Sequence, residues 1–262
     1  VTLELDRATY RVKRIALVRD VSVRVEPGLV TAIVGPNGAG KSTVVRLLSG
    51  ELRPAGGEAR LDGKDLRRFS HRALAERRAV VAQRSELAFD FAVLDVVLLG
   101  RHPFNGGYPS NADRWLALSA LERVGLGAFV ERGYTSLSGG ERQRVQIARS
   151  LVQLAGRNDE RPVPRTWLLD EPTSALDLRH QHRLMALCRE HAAAGSGVCV
   201  VLHDLNLALR YADRVVLMRA GEVFAAGEVE SVLTSKNLQA VYEVDADVVP
   251  LPPTYVPQLV VR

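Results

Sequence analysis

Cysteine, tryptophan and methionine are scarce in this sequence, two of each in 262 residues, and the aromatics together make up only 5%. Two thiols, Cys188 and Cys199, cannot form a disulfide framework, and their apolar neighbourhoods predict buried structural cysteines. Long hydrophobic runs are missing too. The best candidate, Phe91 to Gly100, is interrupted by Asp95 and falls short of the roughly 18 residues that cross a bilayer. The first residues, Leu3, Glu4, Leu5 and Asp6, lack the basic-then-apolar order of a signal peptide, which predicts a cytoplasmic protein. Internal repeats, low-complexity tracts and heptads are also absent, excluding a solenoid, a disordered chain and a coiled coil. What remains is ordinary for a globule: 47% hydrophobic and 25% charged residues. Lysine and arginine outnumber aspartate and glutamate by 35 to 30, a net charge of +5. That balance suits an anionic ligand or surface.

Strand and helix signals alternate along the chain and predict an α/β sheet. Residues 1–34 read as short strands, with Val21, Val23 and Val25 on one face and a turn at Pro27-Gly28. Val30 to Val34 is a continuous apolar strand, followed by a glycine-rich loop and a helix from Ser42 that Gly50 stops. Residues 85–155 read as a helical insert. Within it Asn111 is the expected cap of a helix whose apolar face carries Trp115, Leu118, Leu121 and Val124, with Gly125 as its stop. Gly156 to Arg165, polar and with two prolines, is expected to be an exposed loop back to the core. Trp167 to Asp170 and Val198 to Leu202 read as buried strands, and Ala220-Gly221 as a hairpin turn. The tail from Asp245 shows only short extended segments.

Three motifs carry chemistry. Gly35-Pro-Asn-Gly-Ala-Gly-Lys41-Ser42 matches the phosphate-loop pattern and sits between a predicted strand and helix, the context that pattern requires. Its amides can curl around phosphate oxygens, Lys41 can reach the β- and γ-phosphates, and Ser42 can offer a hydroxyl to Mg²⁺. The second is Trp167-Leu-Leu-Asp170-Glu171, an apolar strand ending in two carboxylates. Strand alternation points them to opposite sides, so Asp170 is read as a metal-shell ligand and Glu171 as the base that polarises water. A solvated acidic strand end is the plainer alternative for that pair. The third, Leu137-Ser-Gly-Gly-Glu-Arg-Gln143, opens a helix. Ser138 and Glu141 fit a capping box, but capping needs no Gly-Gly, and two glycines at a helix start leave amides open to an anion.

The order GPNGAGKS, Gln83, LSGGERQ, LLDEP, Ser174-Ala-Leu-Asp177 and His203 resembles the nucleotide-binding subunit of ABC transporters from about residue 3 to 240. The resemblance implies a phosphate-loop (RecA-like) α/β core with an N-terminal antiparallel β region over residues 1–84 and 156–244. It also implies a helical signature subdomain at 85–155 and a C-terminal extension at 245–262. It implies ATP with Mg²⁺ and two identical chains closing head to tail. Each ATP then lies between the loop Gly35, Pro36, Asn37, Gly38, Ala39, Gly40, Lys41, Ser42 and Thr43 of one chain and Ser138, Gly139 and Gly140 of the other. By the same resemblance Gln83 joins the metal shell and hinges the insert, and His203 touches the γ-phosphate. Tyr10 stacks on adenine, and Asp177 communicates between the two sites.

The stretches LDVVLLGRHPF and GYTSLSGGERQRVQIAR and the long polar loop before TWLLDEPTSALD further resemble the importers of iron chelates, cobalamin and haem, with haemin import favoured. The implied partners are two copies of a membrane permease and, through it, a periplasmic binding protein, with no nucleic acid, at the cytoplasmic face of the inner membrane. A siderophore or cobalamin importer, an exporter half and a non-transport ABC ATPase are the alternatives. Phe89, Phe91, Phe104 and Tyr108 gather after Gln83 and suit either a small core or a surface that receives a permease helix. Arg67, Arg68, Arg72, Arg77 and Arg78 read as a solvated helix face or a contact for lipid headgroups. A metal site at His180 and His182 is disfavoured, because the two flank one residue and point apart on a helix.

Overall fold

The computed structural model describes residues 1–83, 89–157, 164–251 and 256–261. The chain opens with a long hairpin, β1 (Leu3–Val12) and β2 (Ile15–Val25). Val21, Val23 and Val25 are all buried, as period-two alternation requires. The fully buried β3 (Val30–Val34) runs into the phosphate loop and α1 (Lys41–Ser49), which ends at Gly50 with φ 76°. β4 (Gly56–Leu61) and β5 (Lys64–Asp65) follow and complete an antiparallel sheet of order β2-β1-β4-β5. Then come α2 (His71–Ala75) and β6 (Arg78–Val81).

The next stretch is helical: α3 (Val93–Leu98), α4 (His102–Asn105), α5 (Asn111–Arg123) and α6 (Gly139–Leu154). The chain returns to the sheet through β7 (Thr166–Leu169), α7 (Leu178–Ala193), β8 (Gly197–Val201), α8 (Leu205–Tyr211), β9 (Arg214–Arg219) and β10 (Glu222–Glu228). It closes with α9 (Val229–Val232), α10 (Ser235–Tyr242) and a hairpin of β11 (Ala246–Leu251) and β12 (Val256–Val261).

The central sheet has the order β10-β9-β3-β8-β7-β6. β6, β7, β8, β3 and β9 are parallel, and only β10 runs against its neighbour. β3, β7 and β8 are buried at every residue because the sheet is covered on both faces. One face packs on helices and the other on α1 and the antiparallel sheet, giving two apolar cores. Register aligns the strand ends: Val81 pairs with Leu169, Leu169 with Val200, and Ile33 with Val201. The residues just beyond these ends therefore share one edge of the sheet, where open α/β folds bind ligands.

Several sequence expectations need correction. The N-cap of α5 is Ser110, not Asn111, and it forms a full capping box with Asp113. The face of α5 that packs inward carries Ala117, Ala120 and Leu121, whereas Trp115 is 76% and Leu118 40% exposed. The apolar spacing misled because the helix buries a small-residue stripe and an ionic group instead of its largest side chains. Arg165, expected in an exposed loop, is buried and donates to the carbonyls of Glu76 and Leu154. Residues 158–163 of that loop lie outside the described residues. Arg78 is no member of a solvated face: it is half-buried, and burial pushes its pKa down to about 10.

The ionic group is Arg101–Asp113, 2.7 Å apart and almost fully buried. Burial alone would raise the Asp113 pKa. Hydrogen bonds from Ser110, Arg101 and Asn105 overcome that and hold it far below the usual carboxylate range. Truncating Asp113 to alanine is expected to cost about 3 kcal/mol, because it leaves a buried guanidinium short of its carboxylate. A depressed carboxylate stabilises the fold fully above its unfolded pKa of about 3.9, and that contribution drains away as pH falls below it. Denaturant melts of wild type and Asp113→Ala should therefore converge in acid; a constant gap down to pH 2 would contradict the pairing.

Candidate nucleotide site

The phosphate loop folds as it does because its glycines take backbone that other residues avoid. Gly35, Gly38 and Gly40 have φ of 149°, 78° and 94°. A Cβ at Gly35 would stand 2.3 Å from the Met218 carbonyl oxygen, and one at Gly40 2.7 Å from that of Leu17. The loop is thereby clamped between β9 and β2, with its amides and the N-terminus of α1 facing a cleft of about 220 Å³. Leu17, Asn37 to Thr43 and Glu171 line that cleft. Lys41 is 4% exposed and its ammonium donates to the carbonyls of Gly35 (2.8 Å) and Pro36 (2.9 Å). Burial lowers its pKa, opposed by the charges of Glu171 and Asp170.

β7 delivers the two carboxylates at its end. Asp170 is buried, accepts a hydrogen bond from Ser42 Oγ at 3.0 Å, and has its pKa raised mainly by burial. Glu171 points elsewhere, but not through strand alternation. β7 ends at Leu169, and Glu171 has φ 49°, a left-handed conformation uncommon for a non-glycine residue. Such backbone persists only where its surroundings hold it, and the Ser174 amide (3.3 Å) and hydroxyl (3.0 Å) both donate to the Glu171 carbonyl. Here Gln83, two residues past β6, donates to Glu171 Oε2 at 2.7 Å, and His203 Nε2, two residues past β8, lies 2.9 Å from the same oxygen. Four strand ends thus bring Lys41, Ser42, Gln83, Asp170, Glu171 and His203 to one edge.

Other predicted residues fall outside this cluster. Ser138 caps α6 and forms the capping box with Glu141, donating its amide to Glu141 Oε2 at 2.7 Å. A Cβ at Gly140 would strike the Ala175 carbonyl oxygen at 2.7 Å, so that glycine serves the chain's own packing. Gly139 has nothing within 4 Å of its Cβ position, so no contact inside this chain calls for glycine there. Asp177 caps α7, exposed, with its carboxylate 2.8 Å from His180 Nδ1. His182 instead meets Tyr211, and no cluster of metal-ligating type occurs among the described residues. Tyr10 is half-buried against the N-terminal core and pairs with Val18, whose side chain lies 3.5 Å from the Gly40 Cβ position. Leu17, which stands in no motif, went unnoticed in the sequence, as did the contact that Asp177 makes with His180. Both cysteines are buried, and burial pushes each thiol up to about 12.

A parallel sheet with a glycine loop at its switch point, a lysine on that loop and paired carboxylates at the end of the next strand but one defines a phosphate-loop ATPase. The family model of ABC transporters matches residues 18–174. The hemin import ATP-binding protein HmuV of Hahella chejuensis is 44% identical over 251 residues, 94% of each chain. HmuV of Gloeobacter violaceus is 46% identical over 223 residues, 85% of this chain and 80% of its own. Among solved structures, a chain assigned to the metal-chelate type of ABC transporter, in an inward-facing conformation, superposes with a TM-score of 0.80 at 27% identity. It covers 100% of this chain and 97% of its own. A dimeric bacterial ABC transporter cassette gives 0.75 at 27% identity, with coverage of 87% and 98%. The chain belongs to the ABC transporter family and is its ATP-binding, ATP-hydrolysing subunit.

Proposed function

We propose that this chain energises haemin uptake through a membrane permease, working as a head-to-tail homodimer peripheral to the cytoplasmic face of the inner membrane. The observation that carries the catalytic part is the single oxygen, Glu171 Oε2, contacted by Gln83 and His203 while Lys41 and Ser42 stand on the neighbouring loop. The names of the relatives at 43–46% identity support the substrate. Among the described residues no helix is long and apolar enough to cross a membrane, which suits an energising subunit whose channel is another chain.

In this reading Lys41 leaves the two loop carbonyls for the β- and γ-phosphates, and Tyr10, paired with Val18 across the hairpin, takes the adenine. Ser42, Asp170 and Gln83 offer oxygen donors of the kind Mg²⁺ prefers, and the buried charge of Asp170 is suited to a cation. Bound there, the ion would neutralise charge on the phosphates. Glu171 exchanges its side-chain contacts for a water and accepts its proton, and His203, its ring 44% exposed, turns to the γ-phosphate. Ser138, Gly139 and Gly140 grip the same phosphate from the second chain, and Asp177 at the start of α7 links the two sites.

The apolar rim of the helical insert suits the permease. Phe89, Phe91 and Tyr108 are 72%, 43% and 87% exposed. Phe104 is engaged within the fold, with Arg101 4.8 Å and Arg165 5.6 Å from its ring. In proteoliposomes holding the permease, haemin-loaded binding protein should raise ATP turnover several-fold above the level with ferric siderophore or cobalamin. Equal stimulation by cobalamin would overturn the haemin assignment and leave the ATPase intact.

A further inference from the structure

The tail that carries no motif reaches the catalytic edge. α10 ends at Glu243, whose left-handed φ of 60° turns the chain into the β11–β12 hairpin. Ser235 on α10 donates to Asp247 on β11 at 2.8 Å, fixing the hairpin at its base, and Ala246 is buried. β12 then lies along α8, the short helix that begins directly after His203.

The contact is specific. The Leu259 amide donates to Asn206 Oδ1 at 2.8 Å, and the Asn206 amide donates to Asp204 Oδ1, the N-cap of α8, also at 2.8 Å. Asn206 thus ties the hairpin to the cap next to His203. A two-turn helix has little stability of its own and takes its position from what packs on it. Leu207, Ala208 and Leu209 hold α8 to the core, and the half-buried Leu259 packs against the same core. At the base of the hairpin, the Tyr242 hydroxyl faces the Gly35 amide at the start of the phosphate loop.

We propose that the C-terminal hairpin is a positioning element for hydrolysis, with Asn206 the positioning residue through which it sets the aim of His203. This rests on the reading of His203 as a member of the hydrolytic site. Asn206 touches none of the reacting groups; it holds the backbone from which the imidazole reaches Glu171 and the γ-phosphate. Loss of the Leu259–Asn206 bond frees the first turn of α8, and a displacement near 1 Å at a reacting group can cost up to about 100-fold in rate.

The test compares steady-state ATP hydrolysis by the full-length chain carrying Asn206→Leu, Asn206→Asp, Leu259→Pro or the Leu/Pro pair. Asn206→Leu should lower kcat about tenfold and leave KM for ATP within about twofold of wild type. Asn206→Asp keeps an acceptor oxygen and should restore most of the rate. Leu259→Pro removes the donor on an edge strand that tolerates proline. The pair should lose no more than either single change, because both break one bond. Wild-type kcat in Asn206→Leu, failure of the aspartate to rescue, or fully additive losses would each overturn the proposal. His203→Ala separates this from the site reading. If it is inactive while Asn206→Leu is normal, only the positioning role fails; if it turns over normally, the histidine assignment fails and the positioning role with it.

Discussion

Replacing Glu171 by glutamine should lower ATP turnover by about 10³-fold, within the range that general-base removal costs, with nucleotide affinity nearly unchanged. Glutamine has almost the same shape and can still meet the Gln83 amide and the His203 ring, which lie at 2.7 and 2.9 Å from Oε2. It cannot accept a proton from water. The loop contacts of Lys41 and the Ser42–Asp170 bond do not involve it, so phosphate binding survives. Closure that normally ends with hydrolysis should persist, and light scattering with ATP should show a dimer. Turnover within threefold of wild type would remove Glu171 from the role of base.

The second large effect is expected at Gly139, in a part of the chain that shows no strain of its own. Space at its Cβ position is open to 4 Å, so Gly139→Asp should fold and melt like wild type. A carboxylate beside a γ-phosphate on the facing subunit is a like-charge contact worth several kcal/mol of repulsion. ATP binding to the single subunit should stay within about twofold, while turnover falls at least about 100-fold. Added to Glu171→Gln, it should return the trapped dimer to monomer. Gly140 offers the contrast: its Cβ would collide with the Ala175 carbonyl oxygen, so Gly140→Ala should lower the melting temperature as well as activity. Normal hydrolysis by Gly139→Asp would show that the Ser-Gly-Gly turn meets no phosphate.

Most of the candidate site was legible in the sequence, for local reasons. A run such as GPNGAGKS must be backbone-accessible, glycine-permissive and followed by a helix, so its shape is written in a few adjacent residues. The apolar strands ending in Asp170-Glu171 and His203 were equally local. Less legible was the direction of Glu171, which strand alternation assigned for the wrong reason; its backbone is left-handed, with the carbonyl held by Ser174 and the carboxylate by Gln83 and His203. Trp115 and Leu118 misled because size and spacing say nothing about which helix face a neighbour covers. The Arg101–Asp113 pair was invisible since charged residues are read as solvated until a partner is known.

Short-range patterning by itself determined the phosphate loop, the alternating strands and helices, the capping box at Ser138 and the kind of chemistry they serve, because each depends on residues within a turn or two of one another. Tertiary structure alone decided that residues 83, 171 and 203 meet at one oxygen, that Gly139 is free where Gly140 is enclosed, and that the C-terminal hairpin reaches the helix behind His203. These depend on sheet order and strand register. Contacts between residues 32 and 88 positions apart are set by how strands pair across the whole sheet, which no local window records.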